Sequence, residues 1–198
     1  MKLILEKWNK FLKESEYKRL SIFDFDHTIA SATGFIIVTV KETGKQFKIT
    51  TQEEYDKLKP NEELYDFDFS NLSQITDPQE IKPIVDILRK RVKDPQTQAI
   101  VLTARAPDAE DEIQTYLSTL EPTPIDTSEM YIIGCSGCNK GDFILKFLQE
   151  RPSIVNVEFY DDSVENIDNM KAASQSEQAA NIAFSIFKVT DGKITQVK

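Results

Sequence analysis

A chain of 198 residues, 40% hydrophobic and 10% aromatic, suits one domain, or one core domain with a modest insertion, and can bury a sizeable core. Its formal net charge of -9 argues against a sequence-independent grip on nucleic acid, which needs clustered Lys and Arg, but leaves room for a local basic pocket around one phosphate. Two cysteines make no disulfide framework, no stretch approaches the roughly 20 apolar residues of a membrane span, and Glu6 and Lys7 cut short the apolar run from Leu3 to Leu5, so no signal peptide is expected. The expectation is a soluble cytoplasmic protein.

Residues 1–19 read as an amphipathic helix, with Ile4, Trp8, Phe11 and Leu12 on one face. It would pack on its own domain or dock a partner, a second copy included. Leu20 to Phe25 reads as a buried strand. FIIVTV and QFKIT flank KETGK, a hairpin turning near Gly44, and TQEEYDKLKP begins as a helix with Thr51 and Glu54 at capping-box spacing. From Asn61 to Ser73 the chain is acidic and aromatic, an edge strand or an ordered loop.

From Asp77 onward helices and strands alternate. Helices are expected at Pro78 to Val92, Pro107 to Leu120, Lys140 to Glu150 and Val164 to Ala173. Strands are expected at Gln98 to Leu102, Met130 to Ile133 and Val157 to Tyr160, and IAFSIFKV is read as the last strand. Apolar strands separated by helices predict α/β, a doubly wound (Rossmann-like) parallel sheet covered on both faces, over residues 20–198. A small β-hairpin/helix insertion falls after the first strand, at about residues 33–77.

In such a sheet ligands bind at the carboxyl ends of the strands. Asp24, Asp26, Thr103, Asp161 and Asp162 all fall there, and Lys140 opens a helix. Converging carboxylates repel unless a cation neutralises them, and hard oxygen donors suit Mg²⁺. A carboxylate beside Mg²⁺ can attack phosphorus, Lys140 and the Thr103 hydroxyl can bind the phosphoryl oxygens, and a second acid can protonate the leaving alcohol.

In that order, IFDFDHTIA, AIVLTAR, NKGDFIL and VEFYDDSVEN resemble the four motifs of the haloacid dehalogenase (HAD) superfamily of phosphotransferases. The resemblance runs from about Leu20 to Val189. It implies Asp24 as nucleophile and Asp26 as general acid and base, with the backbone carbonyl of Asp26 lent to the metal. Thr103, the backbone at Ala104 and Lys140 would hold the phosphoryl group. Asp162 would join Asp24 on the metal, with Asp161 a further ligand or the group that orients Lys140. Thr28 would hold the loop geometry. His27, where the family often has Gly, reads as a residue shaping the loop more than a catalytic one. Asn166 would support the acids, and Arg105 would reach either the substrate or an acid.

Cys135 and Cys138 have metal-ligand spacing, yet a structural zinc site wants four ligands, so a small thiol-rich loop is preferred to a redox or metal site. The span from Thr103 to Lys140 is already filled by a helix, a loop and a strand, and the roughly fifty residues between Thr28 and Pro78 are too few for a full cap domain, which resembles the reduced-cap members of the superfamily. The implied function is a Mg²⁺-dependent phosphomonoester hydrolase acting on a nucleotide or other phosphorylated metabolite. The alternatives are a nucleic-acid end (3′-) phosphatase and a non-catalytic HAD-fold binding or assembly module. The amphipathic start loosely resembles leaders of virus-encoded proteins, for which the compartment would be the host cytoplasm.

Overall fold

The computed structural model describes residues 17–31, 35–50, 52–68, 71, 75 and 77–198. In chain order come β1 (Arg19–Phe23), β2 (Ala30–Ser31), β3 (Ile36–Val40), β4 (Gln46–Ile49), α1 (Gln52–Leu58), β5 (Tyr65–Asp68), β6 (Gln79–Glu80) and α2 (Lys82–Lys93). There follow β7 (Thr97–Thr103), α3 (Glu110–Thr119), β8 (Tyr131–Gly134), α4 (Lys140–Gln149), β9 (Asn156–Asp161), α5 (Val164–Ser174), β10 (Ala183–Thr190) and β11 (Lys193–Gln196). The chain is mixed α/β. Its central sheet has the order β11-β10-β9-β1-β7-β8 and is parallel except for β11, which runs antiparallel to β10.

Successive residues of a strand face opposite sides of the sheet, and here both sides are apolar. Leu20 and Ile22 of β1 pack with Ile144 and Leu148 of α4 and Ile167 and Met170 of α5. Phe23 faces the other way, with Ile84, Val85 and Leu88 of α2 and Ile113 and Leu117 of α3. Helices therefore cover the sheet on both faces, which is compatible with a Rossmann-like fold. Each large side chain fully removed from water contributes about 1.5–3 kcal/mol, so the central strands carry much of the stability. An aromatic stack ties three neighbouring strands together: Tyr160 of β9 lies flat between Phe23 at 4.9 Å and Phe187 at 4.7 Å.

Between β1 and α2 the order differs from the linear reading. The expected hairpin of β3 and β4 forms, and β5 joins it on the other side of β3, giving a three-stranded antiparallel sheet β4-β3-β5. The acidic aromatic stretch is thus a paired strand, and Phe67 turns its ring edge-on to Tyr55 of α1 at 5.3 Å. Thr51 of the expected capping box lies outside the described residues, and the Glu54 carboxylate accepts instead from the backbone N–H of Thr50, four residues before it, at 2.7 Å.

Three boundaries are corrected. The helix expected from Pro78 starts at Lys82, because Gln79 and Glu80 pair with Ser31 and Ala30. IAFSIFKV is not the last strand, since β11 follows it through a turn at Asp191 and Gly192, both with positive φ. The expected helix over residues 1–19 lies mostly outside the described residues, and its last part is not helical. Tyr17 is buried in the core beneath α4 and α5, and Arg19 already belongs to β1. Among the described residues, no helix is long and apolar enough to cross a membrane.

Candidate active site

The strands β9, β1 and β7 lie side by side and run the same way, so Asp161, Asp24 and Thr103 emerge together at their carboxyl ends. The backbone fixes Asp24 directly, its N–H donating to the Tyr160 carbonyl at 2.9 Å. The chain then turns sharply. The Phe25 carbonyl accepts from the N–H groups of Thr28, Ile29 and Ala30, and His27 takes a φ of +56° in the left-handed region. Glycine reaches that region without steric cost, whereas His27 occupies it at some strain. Its side chain is exposed. Thr28 is fully buried, and its hydroxyl has no partner among the described residues.

Lys140 is the electrostatic centre. Asn139 caps α4 by accepting the Asp142 N–H, which sets the first turn so that Lys140 points inward. Its Nζ donates to Asp24 Oδ1 at 2.6 Å and to Asp161 Oδ2 at 2.7 Å, with all three side chains almost fully buried. Burial alone would drive the Lys140 ammonium down, but the charges of Asp24 and Asp161 outweigh it and push it above its usual value. It stays a cation. Asp161 is further held by both oxygens to Asn166 Nδ2 at 3.1 Å and by Oδ1 to the Ser163 N–H at 2.9 Å. Both Asp161 oxygens are thus engaged, one of them by Lys140. Of the two acids ending β9, Asn166 bonds Asp161.

Asp26 is engaged differently. Arg105 donates to it twice, Nε to Oδ2 at 2.8 Å and Nη2 to Oδ1 at 2.7 Å. Of the two readings left open for Arg105, the structure takes the acid. Thr103 is buried, and its hydroxyl accepts from the Arg105 N–H at 3.2 Å; Ala104 is exposed at the tip of the loop. For Arg105 the sequence left the acid unnamed, and the two bonds identify it as Asp26.

The carboxylates of Asp24, Asp161 and Asp162 offer oxygens within 4.8 Å of one another. Burial pushes Asp24 well above the usual carboxylate range, Lys140 pulls it back, and the charges of Asp161, Asp162 and Asp26 push it up again. Burial, then the Asp161 charge, raises Asp162 to about 6, against the pull of His27 and Lys140. One lysine among these acids undercompensates them, and a small hard cation on Asp24 and Asp162 would relieve the excess. The donor set therefore fits Mg²⁺. The Asp26 side chain is bonded to Arg105 and is not one of this carboxylate group; the metal role expected of Asp26 is through its backbone carbonyl.

Cys135 and Cys138 are joined in a disulfide, a correction to the thiol-rich loop expected from sequence. With both sulfurs bonded to each other, the pair offers a metal no thiolate ligand.

No family model, no curated protein and no solved structure matches this chain.

Proposed function

We propose that this chain is a Mg²⁺-dependent phosphomonoester hydrolase of the HAD type, working through a phosphoryl group held transiently on Asp24. The observation that carries the reading is the buried Lys140 bridging Asp24 and Asp161 at 2.6 and 2.7 Å, with Asp162 in the same carboxylate group. A structural ion pair needs only two partners. Here a cation is held among three acids at the ends of adjacent strands, an arrangement costly to bury unless it serves a site.

In this reading an Asp24 oxygen attacks phosphorus while the bond to the ester oxygen breaks. Asp26 gives its proton to the departing alcohol, then takes one from the water that attacks the phosphoryl-Asp24, releasing inorganic phosphate. Lys140, the Thr103 hydroxyl and the Ala104 backbone would bind the phosphoryl oxygens and stabilise the charge that spreads over them. Arg105 holds Asp26 in reach of the leaving group. When bound to Asp24 and Asp162, Mg²⁺ supplies charge neutralisation between the nucleophile and the phosphoryl oxygens. The three-stranded sheet after β1 is the segment we assign to substrate choice as a reduced cap, and the substrate class is a nucleotide or other phosphorylated metabolite.

Asp24→Asn tests the reading. It should abolish Mg²⁺-dependent hydrolysis of an aryl phosphate while the far-UV circular dichroism stays that of the parent. Full activity in a folded Asp24→Asn protein would sink the mechanism.

A further inference from the structure

The CSGC turn lies between β8 and α4, and its backbone is laid along the loop that follows β7. The Cys135 N–H donates to the Thr103 carbonyl at 3.0 Å, the Gly137 N–H to the Ala104 carbonyl at 2.9 Å, and the Ser136 N–H to the Arg105 carbonyl at 3.0 Å. Three consecutive carbonyls of the phosphate-side loop are thus held by three consecutive amides of the disulfide turn. On one side Arg105 carries the clasp to Asp26; on the other, Asn139 and Lys140 follow Cys138 directly.

The turn needs something to hold it. Ser136 and Gly137 both sit in the left-handed region, at φ +52° and +73°, and for a residue with a side chain that conformation costs roughly 1–2 kcal/mol. The Cys135–Cys138 bond closes the turn around these two residues. A ring this short removes little entropy from the unfolded chain, since that gain grows with loop length, so the bond acts locally more than on global stability. Both cysteines are half-buried while Ser136 and Gly137 are exposed, which gives a small thiol access to the bond.

We infer that Cys135 and Cys138 form a thiol–disulfide switch: oxidised, they hold the Thr103–Arg105 loop in working position, and reduced, they release it and slow turnover. The inference rests on the phosphatase reading for its kinetic consequence, but not for the coupling between turn and loop. The reductant is a dithiol. One of its thiolates attacks a cysteine sulfur and breaks the bond, giving a mixed disulfide, and its second thiol resolves it. Two electrons and two protons pass to Cys135 and Cys138, and the dithiol leaves as its own disulfide. A small-molecule disulfide reverses the step.

The test uses the full chain, oxidised and then reduced with a dithiol, with thiols counted in each state. Hydrogen exchange at the Ser136 and Gly137 amides reads the coupling without any need for activity. Reduction should expose two thiols and speed that exchange at least about tenfold, as local opening replaces a held turn. The kcat on an aryl phosphate should fall about tenfold with KM nearly unchanged, the pattern of misplaced catalytic groups. Reoxidation should restore both, and the double variant Cys135→Ser, Cys138→Ser should stay at the reduced level and ignore the dithiol. Exchange that is the same in both states overturns the switch, as does a double variant with the oxidised level of turnover. Exchange that responds, with no turnover in either state, supports the coupling and overturns the phosphatase reading instead.

Discussion

Arg105 meets Asp26 across the loop ends of β7 and β1 with two parallel bonds, Nε to Oδ2 at 2.8 Å and Nη2 to Oδ1 at 2.7 Å. The guanidinium is almost wholly buried while the carboxylate is about one-third exposed, so the arginine is the fixed partner and the aspartate the one presented outward. A planar fork of this kind sets the orientation of a carboxylate as well as its distance.

Arg105→Lys keeps the charge and loses the fork. The Asp26 carboxyl should then be poorly aimed at the leaving oxygen. An alkyl phosphate, whose alcohol leaves only when protonated, should lose roughly 10²-fold in kcat, the size of a general-acid contribution. A p-nitrophenyl ester, which departs readily as the anion, should lose far less. The check is the ratio of the two kcat values in parent and variant. An equal loss on both esters would mean that Arg105 serves the phosphoryl group and not the acid.

Lys140→Met would leave Asp24 and Asp161 facing each other in the core without a cation. Removing one partner from a buried ion pair costs about 3–5 kcal/mol, and here two acids depend on one amine. The variant should show a much lower urea midpoint at pH 7. Adding Asp161→Asn should recover part of it, because one of the stranded charges is then gone. A double variant no more stable than Lys140→Met alone would contradict the network.

The parts of this molecule that could be read from sequence are those where one residue type decides the outcome. Ile22 and Phe23 of β1 and Ile100 and Val101 of β7 belong to short apolar stretches that, repeated between helices, read as strands buried on both faces, and the acids at the ends of β1 and β9 follow from where such stretches stop. β11 was not legible. Its sequence, Lys-Ile-Thr-Gln, has no apolar run, and it is a strand because β10 presents an unpaired edge just across a tight turn. β5 was ambiguous because Tyr65-Asp66-Phe67-Asp68 alternates as a strand or a loop would, and only its pairing with β3 decides. The Arg105 clasp on Asp26 is a distance relation between separate loops, which local pattern does not carry. The Cys135–Cys138 bond lies within one turn, and its spacing alone does not tell a disulfide from two thiols.

Gly141 follows Lys140 and packs against the backbone of Asn169 in α5, where an added Cβ would collide with the Asn169 carbonyl. Gly141→Ala must push α4 and α5 apart, at about 1–3 kcal/mol by the usual cost of overpacking. Because Lys140 rides on the same helical turn, the variant should also lose kcat at temperatures where it remains folded. Thermal unfolding and turnover measured on one sample check both. A stable variant with reduced turnover would separate the two effects in favour of positioning.

Asp162 makes the last prediction, and its sign can be worked out. Burial and the Asp161 charge raise its carboxyl to about 6. Between the ordinary carboxylate value and about 6 the folded chain holds a proton that the unfolded chain does not, so the metal-free protein loses stability as pH rises through that window. A shift of about two units corresponds to roughly 1–3 kcal/mol at neutral pH. Asp162→Asn removes that burden, so the metal-free variant should melt higher than the parent at pH 7. Mg²⁺ competes with the same proton, and its affinity should therefore strengthen as pH rises through about 6. Added Mg²⁺ should raise the melting temperature of the parent at pH 7 and leave Asp162→Asn almost unmoved. Calorimetric Mg²⁺ titrations at pH 5 and pH 7.5, with melting curves of both proteins, check each step. A parent that binds Mg²⁺ equally well at both pH values would show that Asp162 is not among its ligands.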